Sequence, residues 1–201
     1  YDGHLSVYKV FIRNNLGISY IHLAAKNGFL PLCQMIIKSL VLKNPKDRNG
    51  LTPLHLAAKM GHLRVCELLI DVIKDKNPRD MNGITPLHLA AQSGLLSVCQ
   101  FIVDNVNDKN LKTQEEFHQS VLRFWSYEIG MAPLHLAARN GHLQVCQWIL
   151  EIVKDQHPGI FNGRTPQQLA IHLVNLKKYD RTKSQDFGAL KDLKKLLTKE
   201  K

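Results

Sequence analysis

An all-α solenoid, built from stacked antiparallel helix pairs joined by projecting loops, is the fold this sequence predicts, and three observations carry it. The glycines are periodic: Gly17, Gly50 and Gly83 stand 33 residues apart, as do Gly130 and Gly163, while Gly28, Gly61 and Gly94 keep the same interval and the series resumes at Gly141. With Gly3 and Gly188, eleven of the twelve glycines fall in these two series, which a repeat architecture produces and random placement does not. The text between the two series is nearly constant, running Gly50-Leu-Thr-Pro-Leu-His-Leu-Ala-Ala-Lys-Met-Gly61, then Gly83-Ile-Thr-Pro-Leu-His-Leu-Ala-Ala-Gln-Ser-Gly94. A third copy, Gly130-Met-Ala-Pro-Leu-His-Leu-Ala-Ala-Arg-Asn-Gly141, follows. Apolar residues recur at helical rather than strand spacing, as Leu63, Cys66, Leu69 and Ile70 do.

The unit at 50–82 shows how each part arises. Thr52 can cap a helix, Pro53 suits its first turn, and 54–60 forms a short helix stopped by Gly61. Residues 62–72 read as a second, antiparallel helix, and 76–83 as the turn-rich projecting loop. So short a pair cannot bury its apolar face alone, so neighbours must stack into a continuous core. The text TPLHLAA followed by GHLxVC, in register over residues 3 to 197, resembles the ankyrin repeat family.

The units follow in order. Residues 1–16 align with the second helix of a repeat whose first helix is missing, so a piece of a longer array is expected. Residues 17–49 form a degenerate repeat in which Ser19-Tyr20 replaces Thr-Pro. A regular repeat at 50–82 is followed by one at 83–129 that carries 14 extra residues, rich in aromatics, and then by a regular one at 130–162. The last unit, 163–201, holds a basic insertion at about 171–187 before Gly188-Ala-Leu-Lys-Asp-Leu-Lys-Lys-Leu-Leu197, whose one-sided apolar pattern suits a terminal cap.

Length and composition agree with one folded unit. The chain has 201 residues, 44% of them hydrophobic, which excludes disorder. No apolar run reaches the roughly 18 residues that a membrane helix needs, and the start, Tyr1-Asp-Gly-His-Leu-Ser, lacks the pattern of a secretory leader. The expectation is a soluble, monomeric domain in the cytoplasm, with the nucleus as the alternative. Twenty-seven Lys and Arg against 17 Asp and Glu give a net charge of +10. Residues 1–49 hold +5 and residues 177–201 another +5, so residues 50–176 are neutral overall. Basic flanks on a neutral array disfavour nucleic acid as the partner.

Four cysteines and ten histidines raise the question of metal or disulfide chemistry. Cys33, Cys66, Cys99 and Cys146 occupy one equivalent position in four repeats. Packed helices lie about 8–10 Å apart, beyond the roughly 7 Å between Cα atoms that a disulfide tolerates, so buried free thiols in a reducing compartment are expected. His22, His55, His88 and His135 are likewise one repeated position. In the family this imidazole hydrogen-bonds the Thr hydroxyl and nearby backbone, which leaves neither catalytic nor metal work for it. No phosphate loop, nucleophile elbow or carboxylate pair is present, so no catalytic residue, metal or cofactor is assigned.

The resemblance implies that a partner is held by loop tips and by the exposed positions of the first helices, which together line a concave groove. The loop-tip candidates are Arg48, Leu51, Met81, Ile84, Met131 and Arg164, and the helix candidates are Lys26, Lys59, Met60, Gln92, Ser93, Arg139 and Asn140. This mixture suits an acidic, partly apolar protein segment. In the long insertion Phe117, Val121, Leu122 and Trp125 fall at helical spacing, and Phe117, Phe124 and Trp125 are candidates for an aromatic anchor as well as for packing within their own repeat. Lys177, Lys178, Arg181 and Lys183 are the candidate contacts to a polyanion or an anionic membrane surface. Asn44 and Asn77 precede Pro in equivalent loops and resemble the asparagines that hydroxylases modify in family members. The expected function is a non-catalytic protein-interaction module of a larger intracellular protein. The rivals are the cytoplasmic region of a membrane protein or channel, and a phosphoinositide- or nucleic-acid-binding module.

Overall fold

The computed structural model describes residues 19–39, 44–106, 133–152 and 195, and every regular element among the described residues is an α-helix. In chain order these are α1 (Tyr20–Lys26), α2 (Leu30–Ser39), α3 (Pro53–Met60), α4 (Leu63–Val72), α5 (Pro86–Gln92), α6 (Leu96–Asn105), α7 (Pro133–Arg139) and α8 (Leu143–Ile152). They alternate in length, a first helix of 7 or 8 residues being followed by one of 10. The truncated opening repeat, the aromatic insertion with Phe117, Phe124 and Trp125, and the capping unit with its basic insertion, residue 195 apart, lie outside the described residues.

The punctuation of α3 follows its sequence closely. Thr52 is the extended N-cap, Pro53 opens the first turn, and Gly61 closes the helix in the left-handed region at φ 82°. That conformation is strained for a residue with a Cβ. The helix after it begins one residue later than its apolar pattern implies, at Leu63, with His62 as N-cap. Its buried face also differs slightly. Val65, Cys66, Leu69 and Ile70 are at most 1% exposed, whereas Leu63 is only partly covered.

The chain divides into two compact units, one of Tyr1–Ala90 with Ser97–Asp108 and one of Ala91–Leu96 with Lys109–Lys201. In the first unit α1 packs beside α3, α2 packs beside α4, α1 packs on α2 and α3 packs on α4. First helices therefore form one layer and second helices another. Ala24, Ala25, Ala57 and Ala58 are completely or almost completely buried in the first layer, where their small side chains let backbones approach closely. Cys33, Cys66 and Cys99 are fully buried on the second helices. In the second unit α7 packs on α8, around Leu136, Ala137, Ala138, Cys146 and Ile149.

Candidate interaction face

The repeated histidine is the fixed part of each repeat. Thr52 N–H donates to His55 Nδ1 at 3.1 Å, and Thr52 Oγ1 lies 2.9 Å from the same nitrogen. Because Nδ1 accepts from a backbone N–H, the proton of the neutral ring belongs on Nε2, which donates to Ile84 O at 2.9 Å in the next repeat. His22 repeats the pattern with Ser19 and with Leu51 O, and His88 repeats its near half with Thr85. Each ring thus ties a helix start to its own cap and, at His22 and His55, to the following repeat. Burial pushes His55 down from 6.5 to about 4, against the raising effect of the Ile84 carbonyl; electrostatic repulsion from the Lys46 and His22 side chains lowers it further.

A second ring contact lies at the other end of the first helix. His62 Nε2 donates to Lys26 O at 3.0 Å, and its imidazole lies so close to Gly28 (φ 71°) that a Cβ there would stand 2.5 Å from His62 Nδ1. In the second unit His142 Nε2 donates to Gln92 O at 2.9 Å and its ring lies in the same way against Gly94, while Asn140 Nδ2 donates to that same carbonyl at 2.9 Å.

The loops between repeats are organised by one carboxylate each. Asp47 Oδ1 accepts from Asn49 N and Leu51 N, and Asp80 Oδ1 accepts from Asn82 N and Ile84 N, all at 2.8 Å. Burial pushes the Asp80 carboxyl above its ordinary value, and these hydrogen bonds oppose that shift. Successive loops lie side by side, since Met81 N donates to Asn49 O at 2.9 Å and Lys46 Nζ to Arg79 O at 3.0 Å.

Against this frame the candidate contact residues separate. Lys26, Arg48, Lys59, Met60 and Met81 are exposed, Met60 at 50% and Met81 at 52%. Leu51, Gln92, Ser93 and Arg139 are half-buried, and Asn140 is exposed. Ile84 is a correction. Its side chain is only 3% exposed, and its N–H and carbonyl are consumed by Asp80 and His55, so it belongs to the core and not to a loop tip. Met131, Arg164, Lys177, Lys178, Arg181 and Lys183 lie outside the described residues. Asn77 is half-buried with its N–H on Asp75 Oδ1, and the side-chain oxygen of Asn44 is buried.

Two exposed residues of this face are absent from the sequence-based set. Tyr20 and Leu23 are 49% and 45% exposed and share a stripe of α1 with Lys26. Their spacing of three residues is the available signal, but a Tyr and a Leu in a short helix read as core until a neighbouring helix shows which arc is covered.

The thiols are chemically quiet. Burial pushes Cys33 up to about 11 and Cys66, Cys99 and Cys146 up to about 12, so thiolate is scarce at neutral pH. All four are free and buried. No group of three or more metal-ligating side chains converges among the described residues, nor is any helix among them long and apolar enough to cross a membrane.

Comparison with protein families places this geometry. The model described as "Ankyrin repeats (3 copies)" matches residues 21–115, and the one described as "Ankyrin repeat" matches residues 130–154. Together they cover more than half of the chain. No curated protein sequence matches it.

Proposed function

The chain belongs to the ankyrin repeat family, whose members generally serve in protein–protein interaction and are typically non-catalytic, and from that premise we propose that it binds an acidic, partly apolar partner protein through loop tips and the concave side of its first helices. The observation that carries the reading is a division of labour within each repeat. Residues that hold the scaffold, His55, Thr52, Leu54, Ala57 and Ala58, are fully buried, whereas Lys59 and Met60, on the same helix, are exposed and change from repeat to repeat. Variation on a fixed frame is how one fold serves different partners, and the fold by itself does not select among them.

The test is affinity capture with the intact protein beside a variant carrying Met60→Ala, Met131→Ala and Arg139→Ala. Partners that bind through this face disappear with the variant, while the circular dichroism spectrum stays unchanged. An unaltered set of captured proteins rejects the assignment of the face.

A further inference from the structure

We infer that the first-helix and loop side of the first unit is a net-basic strip, with apolar side chains set into it, built for an extended acidic segment whose carboxylates recur every third residue with apolar residues between them. The inference deepens the interaction reading and rests on it. Lys26, Lys46 and Arg48 belong to residues 1–49, which hold +5, whereas Lys59 lies in residues 50–176, which sum to zero. Lys26 and Lys59 are exposed near the ends of α1 and α3, and Lys46 and Arg48 are exposed on the loop whose Leu51 carbonyl accepts from His22. The two acids on this side, Asp47 and Asp80, each have a carboxylate oxygen held by two backbone N–H groups of their own loop. The unit's other described acids lie on or just after second helices: Glu67, which is paired with Arg64 at 3.1 Å, with Asp71, Asp75 and Asp104. Among the described residues, none of Lys26, Lys46, Arg48 and Lys59 stands within ion-pair distance of a carboxylate.

Charge alone would also suit a nucleic acid. The apolar content of the strip argues against it: Leu23 and Met60 are 45% and 50% exposed beside Lys26 and Lys59, and a phosphate backbone would leave them uncovered, whereas a peptide side chain would bury them. Spacing adds a register. Neighbouring helices pack about 8–10 Å apart, so equivalent lysines on α1 and α3 project about 10 Å apart. A polyproline II segment advances about 3.1 Å per residue with three residues per turn, so carboxylates three residues apart stand about 9 Å apart on one face and reach both. The series is interrupted at Gln92, where the equivalent position is uncharged.

The probe is a fluorescein-labelled synthetic peptide of roughly twelve residues repeating Glu-Leu-Ser, beside a Glu-Gly-Ser control of equal charge, a Lys-Leu-Ser control and a single-stranded RNA, each titrated into the whole chain by fluorescence anisotropy. The Glu-Leu-Ser peptide binds, and Lys26→Glu with Lys59→Glu weakens it about tenfold or more, whereas Lys74→Glu with Lys76→Glu, an equal charge change just after α4, leaves it within about twofold. Equal weakening by both pairs, equal binding of the Glu-Gly-Ser control, or tighter binding of RNA through the same lysines overturns the inference. Absence of peptide binding overturns it too, yet leaves the interaction reading to the capture experiment. Unchanged thermal melts of the exposed Lys→Glu variants exclude misfolding as the cause.

Discussion

Acidification should unfold this protein through a group that its fold buries uncharged. His55 sits at about 4 in the folded chain against 6.5 ordinarily, chiefly because burial penalises the imidazolium. Protonation also removes the lone pair of Nδ1 that accepts Thr52 N–H. A depressed histidine contributes stability that is complete above pH 6.5 and is lost as pH falls towards 4, because the unfolded chain binds a proton that the folded chain refuses. Each pH unit in that window removes about 1.4 kcal/mol, so the whole window removes about 3 kcal/mol, a large share of an ordinary domain's stability. The assay is urea unfolding followed by circular dichroism between pH 7 and pH 4, for the native sequence and for His55→Gln. The variant lacks the bonds of the ring and is less stable at pH 7, but its deficit shrinks by about 3 kcal/mol on acidification because it has no proton to take up there. Parallel stability curves for the two proteins would refute the argument, since other titrating groups cancel in the difference.

Other consequences are as direct. The four buried thiols, pushed up to about 11 or 12, should react with Ellman's reagent at pH 8 far more slowly than free cysteine, and all four should react at once in denaturant. Gly28→Ala should cost about 1–2 kcal/mol or more, from the left-handed backbone and the collision with His62, and the cost should fall when His62 is also changed to Ala, which a double-mutant cycle by thermal melting measures. Phe124→Ala with Trp125→Ala distinguishes the two roles open to the aromatic insertion: lost partner binding with an unchanged melt marks an anchor, and a lowered melting temperature marks packing.

How much could be read in advance varies with the range of the interaction involved. The helix pair of each repeat was legible because its determinants are local: Thr52, Pro53 and Gly61 act within one or two turns of chain, and their roles as cap, first-turn residue and left-handed stop are those found. Periodicity extended the reading across the array, since residues one period apart meet equivalent surroundings. His55 shows where this stops. Its bond to Thr52 is three residues long and follows from the motif, but its bond to the Ile84 carbonyl spans 29 residues and depends on how the next repeat is seated. The same seating buries Ile84, which as a loop-tip position in the sequence had every reason to look exposed.

The amino-acid sequence by itself determined the fold class, the family, the shared positions of the four cysteines and the four buried histidines, and the stripe of residues that varies between repeats. Tertiary structure alone decided which members of that stripe reach solvent and how charge is distributed between the two sides of the first unit. Sums over the sequence, +5 for residues 1–49 and zero for residues 50–176, weigh Asp47, Asp80 and the lysines alike. The fold does not weigh them alike: it ties the carboxylates of both aspartates to backbone N–H groups and leaves Lys26, Lys59 and Arg48 in water. Electrostatic character belongs to surfaces, and a surface exists only once helices have been packed against one another.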